Sequence, residues 1–211
     1  MAPPAALVAL LGLLAAGSTA AAAILVVRLH LLPTGVDPVR EGVSGYGLGR
    51  WAHLYRAQVT CCGLAATLVV IGCGTVGLGS LSGLAALAVY ALARFTIVRF
   101  PTDPPGTTTL STTGRRHAVL AAAAFLSLAM AASTLWLTLV DSPPWDRAGQ
   151  LLAVVSLVVP VTVAATFAAG GWPTLRPLFG LIERTVYVAG VAWLFVVSMG
   201  FTASPPATHG T

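Results

Sequence analysis

The chain has 211 residues, 57% of them hydrophobic and only 8% charged, with a mean hydropathy of +0.90. Soluble domains carry about 25% charged residues, so this composition excludes a water-coated globule and makes lipid the solvent. The net charge of +5, with arginine supplying every basic side chain, therefore reads as membrane topology and contact with anionic lipid, with no nucleic acid as a partner.

Six apolar runs follow one another: Ala5–Leu32, His53–Gly72, Gly79–Arg99, His117–Val140, Gly149–Gly170 and Phe179–Phe201. Each is close to the ~20 residues that a helical span requires. None shows the period-two alternation of a membrane barrel, and an open backbone has no partners in hydrocarbon. The expected fold is all-α: a polytopic transmembrane bundle of six helices in a single domain over residues 1–211.

The first run resembles a signal peptide in its small residues but lacks a positive segment before it, so it reads as a retained helix. After it comes Gly35-Val-Asp37-Pro38-Val-Arg40-Glu41-Gly-Val-Ser44-Gly-Tyr46-Gly47, where Asp-Pro opens a turn and the glycines permit tight folding over the helix ends. The second run contains Cys61 and Cys62 and is followed by Cys73. These have no metal-ligand spacing and read as core packing. Gly72, Gly74, Gly77 and Gly79 predict a tight, charge-free turn into the third run, which carries Arg94 one turn from its end.

The next loop, Phe100-Pro101-Thr102-Asp103-Pro104-Pro105-Gly106, is proline-stiffened and leads through a Thr/Ser stretch to Arg115-Arg116-His117. Pro143 and Pro144 end the fourth run, Pro160 predicts a kink in the fifth, and Pro173 and Pro177 frame the turn before the sixth. The sixth opens Gly180-Leu181-Ile182-Glu183-Arg184, which puts Glu183 a turn inside apolar sequence. It needs a partner there, and Arg94 is the expected one.

Six crossings place the loops after runs one, three and five at one end of the bundle. Ten of the eleven arginines fall there, with Asp37, Glu41, Asp103, Glu183 and three histidines, against Arg147 alone at the other end. The positive-inside rule then makes the Arg-rich loops cytoplasmic and both termini exterior, in a multi-pass protein of a cell membrane. Polar groups near a bilayer are costly unless paired or used, so this interface is where function is expected.

Asp37-Pro38-x-Arg40 with Ser44 and Tyr46, Phe100-Pro101-x-Asp103-x-Pro105-Gly106 leading to His117, and Gly180-Leu181-x-Glu183-Arg184 followed by Trp193 together resemble the domain-of-unknown-function 998 family of bacterial membrane proteins. The resemblance covers nearly the whole chain and implies six helices, a bacterial membrane location and no particular reaction. Members often carry Gln at the place of Glu183.

The functional expectation is an interfacial site for an anionic lipid or lipid-linked small molecule. Arginines hold phosphate bidentately in a low dielectric, and Asp37, Arg40, Ser44, Tyr46, Arg94, Glu183 and Arg184 are the expected binding residues. If the site is catalytic, Asp103 and His117 form its acid/base pair. His30, His53 and His117 lack the i, i+4 spacing of a metal motif, so no metal or cofactor is expected. The competing reading is a non-catalytic scaffold, or an accessory subunit of a transporter or envelope complex, in which these groups merely cap helices and pair with one another.

Overall fold

The computed structural model describes residues 5–203, so the chain ends assigned above to the exterior lie outside the described residues. It has six helices: α1 (Ala5–Leu31), α2 (Ala52–Val76), α3 (Leu81–Ile97), α4 (Thr112–Leu139), α5 (Gly149–Gly171) and α6 (Phe179–Thr202), with short 3-10 turns before α5 and α6 and in the first loop. No strand occurs among the described residues. Five helices are long and apolar enough to cross a membrane, and α3, at 17 residues, is the short one. The protein is a multi-pass membrane bundle.

Each helix packs on its sequence neighbours, and α6 returns to α1, so the six close into a ring with α2 and α6 also touching across it. Small side chains allow this closeness: Ala15 and Ala22 of α1 and Ala65 and Ala66 of α2 are fully buried. The larger core cluster gathers Leu87, Leu135, Trp145, Trp193 and Phe201. A smaller one, with Leu29, Val43, Tyr46, Tyr55, Phe125 and Tyr187, lies under the Arg-rich loops.

Two helix boundaries differ from the sequence expectation by four or five residues, for physical reasons. Helix α2 continues through Gly72 and Gly74 and stops only at Gly77, whose φ of +68° makes it a left-handed C-cap. Gly72 is buried in the bundle, where its backbone has no water to bond, so the helix outlasts its glycines. Helix α4 starts five residues before His117 because Ser111 caps it, its hydroxyl accepting from the Gly114 N–H at 3.0 Å. Hydropathy marks where lipid begins, whereas the cap marks where the helix begins. Pro160 lies within α5, which is helical on both sides of it.

Candidate functional site

At the Arg-rich end the first loop is strapped across the start of α6. Leu181 donates its N–H to the Val39 carbonyl at 3.0 Å, and Val43 donates its N–H to Oε2 of Glu183 at 2.6 Å. Arg184 completes the strap. Its Nη1 donates to the carbonyls of Glu41 and Gly180, both at 2.8 Å, and its Nη2 to the Tyr46 hydroxyl at 3.1 Å. Its Nε donates to Nε2 of His30 at 2.6 Å.

That last bond fixes a tautomer. Nδ1 of His30 lies 2.7 Å from the Val26 carbonyl, which only accepts, so Nδ1 carries the proton and Nε2 is free to accept from Arg184. The His30 ring meets Tyr46 edge-on, with centroids 5.3 Å apart, and the Arg184 guanidinium sits 5.6 Å from the Tyr46 centroid. The Gly-Leu-x-Glu-Arg stretch is thus the dock for the first loop. Ser44 stands half-buried in the 3-10 turn of that loop.

Glu183 is buried, and its near-complete burial demands an acceptor role that is filled. The partner is the Val43 N–H rather than Arg94, which corrects the pairing expected from sequence: no ion pair joins the two within 4 Å among the described residues. Glu183 faces the loop, and one turn on it is Tyr187 that meets Arg94. Replacing Glu183 by Gln keeps an acceptor for Val43 and should cost about 1 kcal/mol or less. Glu183→Leu strands that N–H in the interior and should cost about 2–3 kcal/mol. Thermal unfolding of both variants in detergent checks the ordering, and equal losses would refute the acceptor role.

The loop after α3 is a separate local structure. Asp103 accepts from the Ser111 N–H at 2.8 Å and the Ser111 hydroxyl at 2.6 Å, so its carboxylate braces the capping residue of α4. Nδ1 of His117, which is buried, donates to the Phe100 carbonyl at 2.7 Å, and Arg116 lies 5.5 Å from the Phe100 ring centroid. No hydrogen bond joins Asp103 to His117. Asp37 accepts from the Val39 and Arg40 N–H groups, and its carboxylate is 3.8 Å from Nε of exposed Arg40. The structure thus brings Tyr46, Glu183 and Arg184 together, while the Asp37 and Arg40 side chains pair with each other on the strapped loop and Asp103 and His117 bond to groups between Phe100 and Ser111. No group of three His, Cys, Asp or Glu side chains placed to hold a metal ion occurs among the described residues.

Beneath the strap lies a polar layer that loop-by-loop reading passes over. Helix α2 supplies Tyr55, Gln58 and Cys62, α3 supplies Tyr90 and Arg94, and α6 supplies Glu183 and Tyr187, all buried. Arg94 stands between two aromatic rings, 5.8 Å from the Tyr90 centroid and 5.3 Å from that of Tyr187. Its Nε and the Oε1 of Gln58 have no hydrogen-bond partner. A cavity of about 10 Å³, the size of one water, is lined by Cys62, Tyr90, Arg94 and Tyr187. The signal was present in sequence: 55/58/62, 90/94 and 183/187 each stack polar side chains on one helix face.

Two lateral grooves flank α6. The larger, about 740 Å³ between α1 and α6, has His30 and Arg184 among residues such as Ala23, Val27, Val188, Val191 and Phe195. The smaller, about 450 Å³ between α5 and α6, includes Val155, Val158 and Thr162 and again Arg184.

Comparison with the curated proteins and with the solved structures gave no match. A family model described as "Protein of unknown function (DUF998)" matches residues 13–200, all but the two ends of the chain, and with the six helices in place the protein belongs to the DUF998 family.

Proposed function

We propose that the protein binds an anionic membrane lipid in the groove between α1 and α6, with the phosphate at Arg184. The supporting observation is the depth of that groove beneath a single cation. From Arg184 to Phe195 on α6 is eleven residues, about 16 Å at 1.5 Å per residue, which is half of the ~30 Å hydrocarbon core. The groove is therefore one leaflet deep, apolar along its length, and cationic at its interfacial mouth.

The charge of Arg184 has no carboxylate within 4 Å among the described residues. Four of its N–H groups are committed to His30, Glu41, Gly180 and Tyr46. A guanidinium has five, so one N–H and a positive charge with no carboxylate in direct contact remain for a phosphate oxygen. Exposed Arg28, in the last turn of α1, adds attraction at the same level. Asp103 and His117 keep their places in the loop before α4 as structural groups in this reading, and binding rather than turnover is the activity. The Arg-rich end faces the cytoplasm of a bacterial plasma membrane, as the arginine asymmetry favours.

The test leaves the strap intact. Ala23→Trp fills the α1/α6 groove from its lipid-facing wall. Native mass spectrometry in detergent should show wild type retaining phosphatidylglycerol over phosphatidylcholine, and Ala23→Trp weakened toward phosphatidylglycerol about tenfold, or 1.4 kcal/mol. Equal retention of both lipids, or an unaffected Ala23→Trp, would reject the proposal.

A further inference from the structure

Resting on the lipid-binding reading, the geometry points to a two-chained lipid that straddles α6, one acyl chain in each groove and a single phosphate at Arg184. Both grooves have Arg184, Val188 and Ala192 in their walls. Arg184 stands at the interfacial end of the α1/α6 groove and one turn inside the mouth of the α5/α6 groove, beyond Leu181. The buried bond from Trp193 Nε1 to the Ser156 hydroxyl, 3.0 Å, fixes the antiparallel register of α5 and α6. Val188, one turn below Arg184, is 71% exposed and forms the crest between the grooves.

This arrangement matches the covalent plan of a glycerophospholipid, one anionic group joined to two apolar chains. The second groove runs from Leu181 to Ala192, eleven residues or about 16 Å, so it takes a leaflet depth, with Arg184 one turn inside its mouth. Its walls are apolar apart from Arg184, Thr162 and Thr185, and both threonine hydroxyls are spent within their own helices, on Val159 and Ile182. Nothing in that groove calls for a polar occupant. The α1/α6 groove alone accounts for a one-chain lipid. The shared cation and the second groove are what select a lipid with two.

The experiment titrates full-length protein in nonionic detergent with phosphatidylglycerol, its one-chain lyso form and phosphatidylcholine, read by native mass spectrometry. Val158→Trp fills the α5/α6 groove alone, and Val155→Phe repeats the test deeper in the same groove should the first variant fold poorly. Wild type should prefer the two-chain over the one-chain anionic lipid at least tenfold more strongly than Val158→Trp does, a comparison in which differences in micelle partitioning cancel. Val158→Trp should bind the lyso lipid as wild type does. An unchanged two-chain preference in both filled variants overturns the straddling geometry while leaving the lipid site standing. Failure of either anionic lipid to exceed phosphatidylcholine overturns the site and the inference together.

Discussion

Gly180→Val should detach the first loop from α6 and lower stability by about 4–6 kcal/mol. A Cβ at position 180 would fall on the backbone of Glu41, where no side-chain rotation gives relief. Forced overpacking of this kind costs about 1–3 kcal/mol. The displaced loop also forfeits the Leu181–Val39, Val43–Glu183 and Arg184–Glu41 hydrogen bonds, each worth about 1 kcal/mol net. The loss should be local, since the ring of helices closes through other contacts. The measurement is thiol labelling of a Ser44→Cys reporter with and without Gly180→Val, beside thermal unfolding. Labelling should quicken about tenfold or more, while the helical circular dichroism persists below the transition. Unchanged labelling would mean that the strap is not held by this contact.

The second large effect is expected at the charge-poor end. Trp145 is 2% exposed, donates Nε1–H to the Val197 carbonyl at 3.0 Å and meets Phe201 edge-on with centroids 4.9 Å apart. The indole packs directly on Gly200, so a Cβ there would overlap its Nε1, Cε2 and Cδ1 atoms. Gly200→Ala forces a rigid ring out of its slot and should cost about 2–4 kcal/mol. A Trp145→Leu change removes the obstacle while forfeiting burial and the indole bond. In the double variant the two losses should fall short of additive by at least about 1 kcal/mol. Strict additivity in thermal unfolding would show that the indole and Gly200 do not oppose each other.

Both effects arise where chain segments far apart in sequence approach to backbone distance, and that marks the limit of what residues disclose by themselves. The six helices were legible because hydrocarbon leaves a backbone no alternative, and the Arg-rich end because loop parity sorts charge. The bracing of Asp103 on Ser111, eight residues apart, was within reach of local reasoning, since Ser111 precedes a helix start. The strap was not. Arg184 reaches His30 and Tyr46 across more than 130 positions, and no periodicity says which loop will lie over Gly180. Arg94 meets Tyr187 and not Glu183 for the same reason: proximity to the same interface does not fix which face of each helix turns inward. The i, i+4 stacking of Tyr90 with Arg94 and of Glu183 with Tyr187 would have indicated those faces.

The shortness of α3 bears on the membrane itself. Its 17 residues span about 25 Å, whereas the other helices have 23 to 28 residues. The apolar wall is therefore lower on one flank of the ring than elsewhere. A span shorter than the hydrocarbon is met by local thinning of the bilayer or by snorkelling of flanking side chains, at a fraction of a kcal/mol for each ångström of mismatch. A bilayer that thins on the α3 side would relieve that mismatch, so the ring of helices presents unequal apolar heights to the lipid around it.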